Sequence, residues 1–514
     1  MLNMYNSQNK SKDQSVHDLF TISGIMVAIG ITCWWTQNEK KIISWYVNHY
    51  EEIYLTLWSV VLILVGLIIH RVMKKTKTIK DRGDLLSPHW DQTMKNILVG
   101  QTHDGIDLHL SDELRCSHVQ IIGTTGRGKT QSVVIPWALR DLERKKSVII
   151  IDGKGSRDVP DRIRSFISHY KLGSEVFEFD LDKPKSSVTI NPLRLGSPQQ
   201  IVDKIFSSFE FQDPFYRAVQ YDICGYLVRL INHNKEIVTF KRLYELLTDE
   251  VKLTEAMKPL PVDNELRKHL MESLKTPLND RKQKTIGLTS QLSPFAVGEI
   301  SEFVNGGSNE VSLAVVMNDP GSKILMMSIP TLKYQKIGHQ LGKLILQDLA
   351  FCVGDRERQD QNQFCSVFLD EFSEFAYEGF VSILNKARSA KVGLHLSHQS
   401  MSDLSKVSPD FAKSVITNTN IKCILGLNDP ETADYFAKHM GTFTEEKLTE
   451  QVEEEGFFKR HKSTGKGSKR EVESYKVHPN DLKCLTRGRG VLHVPTPKGN
   501  VTEVIQFQTI GGKS

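Results

Sequence analysis

Short apolar runs alternate along this chain with longer segments of helical periodicity. Runs at 118–122 (HVQII), 148–152 (VIIID), 175–180 (EVFEFD), 324–329 (ILMMSI), 364–369 (FCSVFL), 392–397 (VGLHLS), 420–427 (NIKCILGL) and 490–495 (GVLHVP) predict strands. Helical stretches separate them, so the pattern predicts an α/β fold with a mostly parallel sheet. Between 197 and 292 the strand pattern stops. IVDKIFSSFE, YDICGYLVRLINH, FKRLYELL and ELRKHLMESL follow one another there as amphipathic helices, which predicts an all-helical insertion between two parts of one α/β domain, 81–196 and 293–514.

Residues 1–80 read differently. Leu19 to Asn38 and Ile53 to His70 contain no Asp, Glu, Lys or Arg. The second stretch approaches the ~20 apolar residues that cross ~30 Å of hydrocarbon. The first is weaker but ends in Trp34–Trp35, a residue type suited to a membrane interface. No small-residue cleavage site follows it, which disfavours a signal peptide. The pattern predicts a hairpin of two transmembrane helices, at about 19–37 and 53–71. Arg71, Lys74, Lys75, Lys77, Lys80 and Arg82 flank the second span, and Lys10 and Lys12 precede the first. The positive-inside rule then puts both termini and the body of the chain in the cytoplasm.

The run at 118–122 leads into Gly123-Thr124-Thr125-Gly126-Arg127-Gly128-Lys129-Thr130, a complete G-x4-G-K-[ST] loop, and a helical stretch from Gln131 to about Lys145 follows. Glycines let such a backbone wrap phosphates with its N–H groups at a helix N-terminus. Lys129 would reach the β/γ-phosphates of ATP, and the Thr130 hydroxyl would ligate Mg²⁺. The run at 364–369 ends in Asp370-Glu371. At the carboxyl end of a parallel strand, Asp370 would hold the Mg²⁺ shell and Glu371 would orient or deprotonate the attacking water. Downstream, Arg388 falls in a helical stretch from about Glu378 to Lys391, and Gln399 follows the run at 392–397. Arg388 reads either as an arginine finger for a neighbouring subunit or as a surface ion-pair partner. Gln399 reads either as a γ-phosphate sensor or as a satisfied loop amide. His395 and His398 lie three apart on a strand and face opposite ways, which argues against a metal site beyond Mg²⁺.

Composition narrows the picture only at its margins. At 514 residues, 39% hydrophobic and 25% charged, the chain is neither disordered nor fibrous. Its seven cysteines form no CxxC pair, which leaves a zinc ribbon or a secreted disulfide framework without support. The net charge of +5 does not identify a partner, because residues 1–80 carry +4 of it. Six Glu in 445–455 face six Lys/Arg in 459–470, which reads as a solvated charged loop or as a basic arm for nucleic-acid phosphates.

Taken together, the hairpin, GTTGRGKT, the following IIDGKGSRD, the helical insertion and FLDEFSEFA with Arg388 and Gln399 downstream resemble the type IV secretion coupling proteins of the TraG/TraD kind, within the FtsK/HerA group of P-loop ATPases. The resemblance spans essentially the whole chain. It implies a RecA-like P-loop NTPase core and a homo-hexamer anchored in the bacterial inner membrane. Such an assembly passes single- or double-stranded DNA with its relaxase, or a secreted protein, to a type IV secretion channel. It also implies catalytic roles for Lys129 and Glu371, Mg²⁺ ligation by Thr130 and Asp370, a trans-acting finger at Arg388 and a sensor at Gln399. The exported loop is only about sixteen residues, and no long tail follows the last predicted strand, which bears on how cargo is met. Two other functions stay open: a nucleotide-gated membrane receptor that recruits protein cargo without acting as a motor, and an FtsK-like DNA pump. The pump is disfavoured by the lack of a long linker and of a C-terminal DNA-reading module.

Overall fold

The computed structural model describes residues 96–508 except 320, 362 and 456–459, together with parts of 34–67, and for 278 and 447–469 the backbone alone. The chain divides into two compact units, Met1–Lys80 and Asp81–Ser514. In the first, residues 58–67 are helical. Of the expected span at about 19–37 only Trp34 and Trp35 are described, whereas the expected span at about 53–71 is described at 54, 55 and 58–67. Among the described residues no helix is long and apolar enough to cross a membrane.

The second unit is built on an eleven-stranded sheet, and all eight predicted strands belong to it. In chain order the strands are β1 (Asn96–Thr102), β2 (Asp107–Ser111), β3 (Val119–Ile122), β4 (Ser147–Asp152), β5 (Glu175–Asp180), β6 (Lys323–Ser328), β7 (Cys365–Asp370), β8 (Val392–His398), β9 (Ile421–Ile424), β10 (Thr442–Glu455), β11 (Arg460–Tyr475), β12 (Arg489–Thr496) and β13 (Gly499–Phe507). The sheet order is β2-β1-β13-β12-β9-β3-β8-β7-β4-β6-β5, and the seven strands from β9 to β5 are parallel. The other four join antiparallel, so the sheet continues past the last predicted strand into β13. Every residue of β3, β4, β7 and β8 is buried, as expected of parallel strands covered on both faces. Alternate residues of β4 feed opposite layers. Ile149 and Ile151 pack in one core with the helix Thr331–Arg358 (broken at Gln335) and the helices between β5 and β6. Val148 and Ile150 pack in the other with Trp137, Ile163 and Phe166. Each such side chain contributes ~1.5–3 kcal/mol by leaving water.

Between β5 and β6 the described residues form helices from Pro198–Ser208 through Leu278–Ala296 and on to Leu313–Met317, past the 292 expected from the sequence. Ser197, Asp213, Thr239, Asp249 and Asn264 each cap a helix N-terminus with a side-chain oxygen. The charged segment read as a loop or arm instead pairs its backbone as an antiparallel ribbon, β10 with β11.

Candidate active site

Neighbouring parallel strands β3, β8, β7 and β4 end on the same edge of the sheet, at Ile122, His398, Asp370 and Asp152. Ligands of open α/β sheets bind outside such carboxyl ends. Asp152 and Asp370 are direct cross-strand partners there.

The loop leaving β3 curls tightly, with φ of 81° at Gly126 and 94° at Gly128. A Cβ at position 128 would also stand 3.0 Å from Ser132 Oγ, so the curl requires glycine. The chain re-enters helix through a π-helical turn, Thr130–Val134, followed by the α-helix Ile135–Glu143. The helix of the predicted 131–145 stretch is thus shorter, with a wider first turn. Lys129 Nζ donates to Gly123 O at 2.7 Å and is buried. Burial lowers its pKa, against the pull of the Glu371 and Asp370 carboxylates. Thr130 Oγ1 donates to Asp370 Oδ2 at 2.6 Å. Ser397 Oγ donates to the other oxygen, Asp370 Oδ1, also at 2.6 Å. The lone pairs of Asp370 are therefore directed by two hydroxyls from two different elements.

Glu371 is the first residue past β7 and adopts a left-handed conformation, φ 53° and ψ 47°. Gln399, the first residue past β8, donates from Nε2 to both Glu371 oxygens, at 3.3 and 3.2 Å. Its Oε1 accepts from Thr125 Oγ1 at 2.8 Å. One amide thus links the loop to the carboxylate.

Arg388 lies elsewhere. The helix expected to carry it spans Val381–Ala387 after a 3-10 turn, and Arg388 is its exposed C-cap. It precedes β8 whereas Gln399 follows it, so it sits toward the opposite edge of the sheet. Burial, with a smaller push from the Arg388 charge, holds the nearby His118 at about 4.

Several residues share the cavity that sequence reasoning did not single out. Asp152, Lys154, Ser156, Asp158, Gln131 and Arg487 line it with the loop, Asp370 and Glu371. The Asp152 carboxylate accepts from the backbone N–H groups of Lys154 and Ser156, both at 2.8 Å. Burial, and then the Asp370 charge, raise it to about 6. A second apolar run ending in Asp, one helix after the loop, was the available signal for Asp152. Arg487 had none: it arrives from far along the chain, and its Nη2 donates to Gln131 Oε1. His395 and His398 are both fully buried and have protein partners. His395 Nε2 accepts from Arg115 Nε at 3.2 Å, and His398 hydrogen-bonds Gln120 and the Ser400 carbonyl. Among the described residues no group of three or more His, Cys, Asp or Glu could hold a metal. The hard oxygens of Thr130 and Asp370 fit Mg²⁺ chemically.

Residues 365–487, which carry Asp370, Glu371, Gln399 and Arg487, match the family described as the TraM recognition site of TraD and TraG. The chain is similar to type IV coupling proteins. It is 24% identical over 418 residues to the type 4 coupling protein DotL of Legionella pneumophila subsp. pneumophila, an alignment covering 67% of this chain and 52% of DotL. The chain therefore spans about half the length of that curated relative. The plasmid coupling protein TrwB shares the fold. Its complex with the non-hydrolysable ATP analogue ADPNP aligns with a TM-score of 0.56 at 14% identity, covering 84% of this chain and 94% of that one. Its complex with ADP and Mg²⁺ gives 0.55 at 13%, covering 82% and 92%.

Proposed function

We propose that this chain is the ATP-hydrolysing motor of a type IV coupling protein, anchored in the bacterial inner membrane as a homo-hexamer and delivering cargo to a secretion channel. The observation that carries the reading is the convergence, on one sheet edge, of Lys129, Thr130, Asp370, Glu371 and Gln399. The match to the TraM recognition family and the likeness to DotL support the secretion context.

In this reading Lys129 leaves the Gly123 carbonyl for the β/γ-phosphates. Thr130 and Asp370 would hold Mg²⁺, which would supply neutralisation of the phosphate charge. Glu371 accepts the proton of the attacking water, and Gln399, already bonded to both its oxygens, orients it toward the γ-phosphate side. Arg388 serves a neighbour's nucleotide. Cargo is DNA with its relaxase, or a secreted protein.

The test is ATP turnover by the full chain with and without DNA, and with and without a cargo protein. Turnover stimulated by DNA marks a nucleoprotein translocase, and turnover stimulated only by protein marks a protein exporter. ATP binding without turnover under all conditions would instead describe a nucleotide-gated receptor and defeat the motor reading.

A further inference from the structure

Arg487 reaches the nucleotide cavity from a loop whose backbone is fixed on both sides. Arg127 Nη1 donates to Leu485 O at 3.2 Å, and the Gly488 N–H donates to Arg127 O at 3.3 Å, so the loop is tied to the phosphate loop. On its other side, Phe507 N–H of β13 donates to Gly488 O at 2.9 Å. Gly488 has φ of 79°, and a Cβ there would stand 2.9 Å from Gln506 Nε2 and 3.3 Å from Ser132 Oγ. Only glycine suits that position, and it aims the preceding residue over the first helical turn. The Arg487 Cγ lies 3.4 Å from where a Cβ on Gly128 would be, and its guanidinium meets the Gln131 amide.

We infer that Arg487 is a nucleotide-binding residue that contacts the α-phosphate side of the bound nucleotide. This rests on the nucleotide site proposed above. Backbone N–H groups of a phosphate loop and its first helical turn cradle the α- and β-phosphates, with the lysine reaching the β/γ end. Gln131, directly after Thr130, borders the α end, and Arg487 stands beside it. A guanidinium is a planar fork matched to phosphate oxygens, and a charged phosphate outcompetes the neutral amide that now accepts from it. Because its backbone is already pinned, little ordering remains to oppose binding. The residue belongs to the segment that follows the β10–β11 ribbon, so the C-terminal part of the chain senses the nucleotide directly.

The full-length chain in detergent is titrated calorimetrically with Mg²⁺–ADP and with Mg²⁺–ADPNP, and its melting temperature is measured without nucleotide. Arg487→Ala weakens both nucleotides by at least about tenfold, and by the same factor, because both carry an α-phosphate. Its nucleotide-free melting temperature stays at the wild-type value. Arg487→Lys recovers part of the affinity, and Gln131→Ala, which removes the competing amide, tightens binding. Wild-type affinity in Arg487→Ala overturns the assignment. Equal weakening in Gln131→Ala and Arg487→Ala also overturns it, leaving Arg487 as a brace for the loop, and a loss confined to ADPNP moves the contact away from the α-phosphate. A wild-type chain that binds neither nucleotide defeats the nucleotide site itself, and this assignment with it.

Discussion

Asp370 shows how much of the site is decided by side chains a motif search passes over. Its two oxygens accept from Thr130 and from Ser397, both at 2.6 Å, so the carboxylate is oriented before any ion arrives. Asp370, Glu371 and the P-loop were legible because each is written locally, as a carboxylate pair after an apolar run or as glycines spaced around Lys129. Ser397 was not, since a serine inside a buried strand carries no local mark of the partner across the sheet. Outer partners of metal ligands commonly change affinity 10–100-fold. Ser397→Ala should therefore raise the Mg²⁺ concentration for half-maximal ATP turnover by about tenfold or more. An unchanged Mg²⁺ requirement would show that Thr130 alone sets the geometry of Asp370. Arg388 is the opposite case: the sequence marked it, and the structure keeps it away from the residues that gather around its own P-loop.

Beneath the site, the element that carries the P-loop is tied to the sheet by a buried charge. Arg115 is wholly buried between the rings of Trp137 and Phe364. It donates to both Asp141 oxygens at 2.7 Å, and Asp141 lies on the helix Ile135–Glu143. Arginine can only donate, so His395 accepts at Nε2 and keeps its proton on Nδ1, toward the Val367 carbonyl. Removing Asp141 leaves Arg115 only the longer ion pair to Asp112, at 3.6 Å, so Asp141→Ala should cost about 3–5 kcal/mol of unfolding free energy in denaturant titration. A loss under about 1 kcal/mol would mean that water reaches Arg115. The same burial makes the sheet acid-sensitive. His118 and His398 are lowered to about 4 mainly by burial, each with a backbone carbonyl partner that pulls the other way. A histidine depressed in the folded state binds its proton first in the unfolded chain, so stability falls as pH drops below the unfolded value near 6.5. Each contributes a loss of about 2 kcal/mol by pH 5. Asp152, raised to about 6, opposes them together with Asp112 and Asp348, but burial lowers His395, His493, His109 and His439 as well, so the depressed histidines outnumber the raised carboxyls. The melting temperature should accordingly drop between pH 7 and pH 5, and a flat profile would refute that burial. At this scale the parallel strands were legible because burial on both faces makes them continuous apolar runs. β1 and β13 mix polar and apolar positions, and β10 and β11 are about half charged and otherwise mostly polar, so neither hydrophobic periodicity nor composition announces them.

For the whole molecule, the trans role proposed for the exposed Arg388 would tie hydrolysis to assembly. A finger supplied in trans is worth 10³–10⁵ in rate. Turnover should rise more steeply than linearly with protein concentration. Arg388→Ala and Glu371→Gln, each inactive alone, should regain partial activity when co-assembled, because some interfaces then pair an intact Glu371 with a neighbour's intact Arg388. No recovery in verified mixed assemblies would leave Arg388 as a structural residue. The most direct test of the account compares ATP binding and ATP turnover in the full-length chain carrying Glu371→Gln or Lys129→Ala. If Lys129, Thr130, Asp370 and Glu371 form one hydrolytic site, Glu371→Gln binds ATP as the wild type does and does not turn it over. Lys129→Ala loses the binding itself. Turnover that survives Glu371→Gln, or equal loss of binding in both variants, would contradict it.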